Sequence, residues 1–96
     1  MRSSQKEIAI EQYFVTALKG AFPEAQVHKY EVRRSEPDRL CLLPGGRAVF
    51  VELKRPKKTL RPEQVRAVQR LQDLGFEVYW ANTTETVAQL IEFLKT

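Results

Sequence analysis

The sequence predicts an α/β domain with element order αβββαβα and a mixed sheet covered by helices, on three observations. A long stretch with helical apolar spacing opens the chain. Short strand-like segments follow, with Pro44-Gly45-Gly46 between the second and third. A further helix, a short apolar run and a last amphipathic helix complete it. At 96 residues the whole chain, 1–96, is expected to form one domain around one core.

Between Glu7 and Phe22, the residues Ile8, Ile10, Phe14, Val15, Leu18, Ala21 and Phe22 recur at helical spacing, and Gly20 and Pro23 mark its end. Val27, Tyr30 and Val32 fall in a short extended stretch. Strands are expected over 39–43 and 47–54, and Pro44-Gly45-Gly46 offers a fixed φ followed by tolerance of positive φ, as a tight antiparallel connection requires. Pro62 suits the first position of a helix and Gly75 a left-handed cap, which places the second helix over roughly 62–74. The apolar run 76–81 reads as a buried strand. Asn82 with Glu85 resembles a capping pair for a final helix whose apolar face is Val87, Leu90, Ile91 and Leu94.

Composition narrows the function classes. A formal charge of +4 and a pI near 9.5 favour a polyanionic partner, because Lys and Arg gain by displacing counterions from phosphates. No apolar run approaches the roughly 20 residues that cross a bilayer, and Met1 to Lys6 holds no apolar segment, so a soluble, cytoplasmic protein without membrane contact is expected. Cys41 is the single cysteine, which excludes an internal disulfide and a cysteine-based zinc cluster, and it reads as a buried strand residue. His28 and Trp80 read as structural.

The residues that carry chemistry sit around the hairpin. Glu52 and Lys54 are two apart in a strand and leave one face of the sheet, while Val49, Val51 and Leu53 point to the other. Such a pair is either a surface ion pair or a catalytic acid and amine. Asp38 favours the second reading, because the hairpin brings the start of its strand back beside Glu52. Two carboxylates with an open side are hard ligands suited to Mg2+ or Mn2+, and a nearby Lys54 can orient or deprotonate water and offset phosphate charge. At about 100° per residue, Glu11 and Glu7 fall on the apolar stripe of the first helix. A buried carboxylate there needs a partner, which is either a Lys or Arg at the stripe edge or, for Glu11, the metal. Gln64 lies in the first turn of the second helix on its inward side, where it either serves the helix start or positions a water or phosphate. Arg55, Lys57, Lys58 and Arg61 follow Lys54, and Arg33, Arg34 and Arg39 flank Asp38, as a solvated basic surface or as contacts for a phosphate backbone.

Together, Ser35-Glu36-Pro37-Asp38-Arg39, Pro44-Gly45-Gly46-Arg47, Val51-Glu52-Leu53-Lys54 and Leu60-Arg61-Pro62-Glu63-Gln64 resemble the virus-type replication-repair nuclease (VRR-NUC) family of PD-(D/E)xK nucleases, from the first helix to about Ala81. The resemblance implies a restriction-endonuclease-like fold. It implies Asp38 and Glu52 as metal ligands with the Leu53 carbonyl as a further one, Lys54 as catalytic lysine and Gln64 as motif glutamine. Glu11 best matches the helix-one acid, with Glu7 second. It further implies a homodimer in a bacterial or phage-infected cell that cuts branched DNA such as four-way junctions with Mg2+ or Mn2+. Ser35 stands where the family usually has Gly, and Arg61 where it has a small capping residue. The competing expectation is a non-catalytic basic module that binds nucleic acid on the same fold.

Overall fold

Gly45 and Gly46 hold φ angles of 82° and 75°, and the turn they form folds β2 (Arg39–Leu43) back onto β3 (Arg47–Leu53) in antiparallel register, with Arg39 opposite Val51 and Leu43 opposite Arg47. The positive φ at both positions is the reason glycine is needed there. The computed structural model describes residues 2–29 and 35–96. The remaining elements are α1 (Arg2–Ala21), β1 (Gln26–Lys29), α2 (Pro62–Asp73), β4 (Glu77–Ala81) and α3 (Thr84–Leu94), in the expected order. The strands lie β1-β2-β3-β4, antiparallel except for the β3–β4 pair, which is parallel because α2 carries the chain across.

Elements β3, α2 and β4 are each one residue shorter than expected, and three further boundaries differ. Helix α1 begins at Arg2, ahead of the apolar periodicity, because that periodicity marks only the part of a helix that packs. Strand β1 ends at Lys29 and holds Val27, whereas Tyr30 and Val32 lie outside the described residues. The cap of α3 is Thr83, not Asn82. Its hydroxyl accepts the Thr86 N–H at 3.0 Å while the Thr86 hydroxyl accepts the Thr83 N–H at 2.9 Å, a reciprocal pair that a Glu85 partner one residue early cannot make. At the end of α2, Gly75 (φ 97°) donates to the Gln72 carbonyl and Phe76 to that of Leu71, the paired bonds of a left-handed C-terminal cap.

One face of the sheet carries the core. Cys41, Leu43, Val49, Val51 and Leu53 alternate onto it and meet Ile10, Phe14 and Leu18 of α1 and Val87, Ile91 and Leu94 of α3. Burial pushes the Cys41 thiol up to about 11, so it sits there as a neutral apolar group, as its strand position suggests. Strand alternation turns Phe50 and Glu52 to the other face, where α2 packs on β4 with Ala67 and Val78 buried between them. Phe14 is fully enclosed, so Phe14→Ala is expected to cost about 3–5 kcal/mol. Urea denaturation followed by circular dichroism measures it, and a loss below about 1 kcal/mol would contradict this packing.

Candidate active site

Continuing the β2–β3 register outward by one pair places Asp38 opposite Glu52. The Asp38 charge acts on the Glu52 carboxyl, as expected of two acids facing each other at the end of the hairpin. Lys54 follows on the Glu52 side of β3, with its Nζ 3.9 Å from Glu52 Oε2, and its N–H extends the parallel ladder to the Ala81 carbonyl at 2.9 Å. Glu52 and Lys54 are mostly covered, their side chains 15% and 18% exposed. Burial first, and the Asp38 charge second, raise the pKa of Glu52 above the ordinary carboxylate value, against the opposing pull of Lys54 and Arg39.

A cleft of about 300 Å³ opens over this pair, lined by Glu7, Glu52, Lys54, Arg55, Lys58, Thr59 and Arg61. Its basic wall is an ordered turn. The Lys58 N–H bonds the Arg55 carbonyl at 3.1 Å, Lys57 holds a left-handed φ of 73°, and the Asn82 side-chain amide donates to the Lys58 carbonyl at 2.8 Å. Arg55, Lys58 and Arg61 thus border Glu52 and Lys54, while Lys57 is exposed outside the cleft lining and Asp38, opposite Glu52 by register, does not line it. Gln64 is buried, and its Oε1 accepts the Arg61 N–H at 2.9 Å. Its amide oxygen therefore serves the start of α2, which explains how Arg61, in extended backbone and without a side-chain cap, can stand at that position. The Arg61 guanidinium pairs with Glu63 at 3.0 Å.

The structure sorts the remaining candidates. Arg39, expected among the phosphate contacts, is buried at 4% exposure: its NH1 donates to Asp38 Oδ1 at 2.9 Å and its NH2 to Glu11 Oε2. The reason is strand alternation, which sends Arg39 inward with Cys41 and Leu43, a signal present in the sequence. Glu11, expected as the best helix-one acid, spends its charge on Arg39 and on Lys29, whose Nζ lies 3.7 Å away. Glu7, the second choice, is the helix-one acid that lines the cleft. Arg33 and Arg34 lie outside the described residues. A larger groove of about 710 Å³ between α2, β4 and α3, walled by Val65, Val68, Tyr79, Trp80 and Phe93, has no carboxylate or cationic side chain in its lining and offers no comparable chemistry.

Among the described residues no group of three His, Cys, Asp or Glu side chains is gathered as a protein-only metal cage. What is gathered is Asp38 and Glu52, with the Leu53 backbone between Glu52 and Lys54. Two oxygen donors at the edge of an open cleft, with the Asp38 charge disfavouring that of Glu52, fit Mg2+ or Mn2+, which keep several waters and leave room for substrate oxygens.

No family model matches the sequence. The chain is 37% identical over 73 residues, 76% of its own length and 78% of the relative's, to "Putative nuclease p44" of Acyrthosiphon pisum secondary endosymbiont phage 1. A solved structure described as a VRR_NUC domain superposes with a TM-score of 0.78 at 30% identity, over 91% of this chain and 95% of the other. A nuclease relative that extends over most of both sequences, and a fold shared over nearly their full length, agree with the facing acids and adjoining lysine of the hairpin: the chain belongs to the virus-type replication-repair nuclease family.

Proposed function

We propose that this protein is a Mg2+- or Mn2+-dependent DNA endonuclease selective for branched substrates, of the type that resolves four-way junctions. The observation that carries the reading is the Glu52–Lys54 pair in a cleft walled by Arg55, Lys58 and Arg61, with Asp38 opposite Glu52 in the hairpin register. Asp38 and Glu52 would hold the cation, with the Leu53 carbonyl and, from α1, Glu7 as candidates to complete the donor set. Bound there, the cation supplies Lewis acidity to a phosphoryl oxygen and makes water a better nucleophile.

The chain's own residues do the rest. The Lys54 ammonium, held near Glu52 and shielded from bulk water, donates hydrogen bonds to the attacking water or to a non-bridging phosphate oxygen. It thereby offsets charge that grows toward the transition state. Arg55, Lys58 and Arg61 neutralise the phosphates that flank the scissile bond, and Asn82 keeps their turn in place through Lys58. The preference for junctions and a homodimeric state rest on the family, in which two sites related by a two-fold axis would cut paired strands. The same reading places the protein in the cytoplasm of a bacterial or phage-infected cell.

The test is a comparison of a labelled immobile four-way junction with a matched linear duplex, each with Mg2+ or Mn2+, resolved on denaturing gels, with sedimentation of the free protein alongside. Discrete cuts confined to the junction and a dimer mass are expected. Equal cutting of both substrates would remove the junction selectivity. A gel shift without any cutting would favour a non-catalytic binding module.

A further inference from the structure

Arg39 is not available to DNA, and its surroundings give it another role. Burying a guanidinium is costly unless its charge and donors are matched, and here they are matched by acids from different elements: Asp38 beside it, through NH1 at 2.9 Å, and Glu11 of α1, through NH2. A guanidinium is a planar fork with donors in fixed directions, so it holds two carboxylates in a set relation, which a lysine cannot do. Asp38 lies just ahead of β2, outside the paired ladder, and its side chain is 37% exposed. Its Oδ1 is taken by Arg39, while Oδ2 makes no hydrogen bond among the described residues. Lys29 lies 3.7 Å from the same Glu11 oxygen that Arg39 holds and adds a second positive charge beside it.

We infer that Arg39 is a positioning residue for the active site: anchored to α1 by Glu11, it orients the Asp38 carboxylate opposite Glu52 and keeps it there before any cation arrives. Neither Arg39 nor Glu11 touches the metal or the DNA. Both act through Asp38, so this rests on the reading of Asp38 and Glu52 as the cation site. It also explains why a basic residue directly after the Pro-Asp pair is buried rather than displayed: its two hydrogen bonds tie the first helix to the hairpin at the point where the acids meet.

Outer-sphere partners of metal ligands change metal affinity by about 10–100-fold when removed. Mn2+ binding is measured by calorimetry without DNA, well below the unfolding temperature, on the wild-type protein and on Arg39→Lys, Glu11→Gln and the double variant. Junction affinity in EDTA and thermal unfolding are recorded in parallel. Each single variant is expected to weaken Mn2+ binding by about 10-fold or more while junction affinity stays as in the wild type. The double variant is expected to be no weaker than the worse single, because the two residues act in series. Wild-type Mn2+ affinity in both single variants would overturn the positioning role and leave the nuclease reading intact. Full additivity in the double variant would also overturn it, because Glu11 would then act on the metal by itself. If the wild-type protein neither binds Mn2+ nor cuts DNA, the cation-site reading falls and the inference with it. Should Arg39→Lys fail to fold, Glu11→Gln alone decides, since Glu11 is less buried than Arg39.

Discussion

Lys54→Ala is expected to lower junction cleavage by about 10²–10³-fold while junction binding survives. The lysine sits on the Glu52 side of β3, its Nζ 3.9 Å from that carboxylate and mostly covered, so its charge acts in a partly dry setting where it is worth more than on a free surface. The variant removes one charge from a cleft wall that still holds Arg55, Lys58 and Arg61, which is why affinity should fall little. Single-turnover cleavage and gel-shift titration on the same substrate separate the two effects. Cleavage at the wild-type rate would contradict the role given to Lys54. A proportionate loss of binding would make it a phosphate contact only.

Glu52→Gln is expected to abolish cleavage and, in EDTA, to make the protein more stable at neutral pH. Burial, with the Asp38 charge second, raises the pKa of Glu52 in the fold. A carboxyl whose folded pKa lies above its unfolded value contributes stability that is fully present below the unfolded pKa and is lost as pH rises through the folded pKa. At neutral pH the metal-free wild type therefore carries the cost of a crowded carboxyl whose charged form is disfavoured, which a neutral amide of the same shape removes. The difference in melting temperature between variant and wild type should be positive at pH 7 and shrink toward zero as the pH falls below the ordinary carboxylate range, near about pH 4. Saturating Mn2+ should stabilise the wild type and leave the variant little changed. A variant less stable than the wild type in EDTA at pH 7 would contradict the account of Glu52 as a strained acid awaiting a cation.

The legibility of these features in the sequence follows from how local each one is. The hairpin was readable because Gly45 and Gly46 occupy left-handed positions, and α2 because Pro62 and Gly75 mark its two ends. Once the hairpin is given, the meeting of Asp38 with Glu52 follows from register alone. The cap of α3 falls one residue later than local pattern suggests, because Asn82 and Thr83 are both good capping types and the Asn82 side-chain amide donates instead to the Lys58 carbonyl. That contact crosses from the residue after β4 to the loop after β3, which no local pattern shows. The helix-one acids were harder still. A helical wheel places Glu7 and Glu11 on one stripe but does not say which stretch of α1 lies over the cleft and which over β2. Only the packed structure assigns Glu11 to Arg39 and Glu7 to the cleft. Arg39 could have been read as inward from its alternation with Cys41 and Leu43, but a basic residue beside Asp38 also suits a phosphate, and its burial depended on an acid from another element.

On the proposed function, Asp38 and Glu52 hold the divalent cation with which the neighbouring cleft cuts DNA. The most direct measurement is cleavage of a labelled four-way junction by purified wild-type protein and by Asp38→Asn, first in EDTA and then after excess Mg2+ or Mn2+ is added to the same reaction. No cutting is expected in EDTA, cutting by the wild type is expected once cation is restored, and none is expected by Asp38→Asn at any cation concentration. Cleavage that persists in EDTA, or that Asp38→Asn retains, would contradict the proposed function.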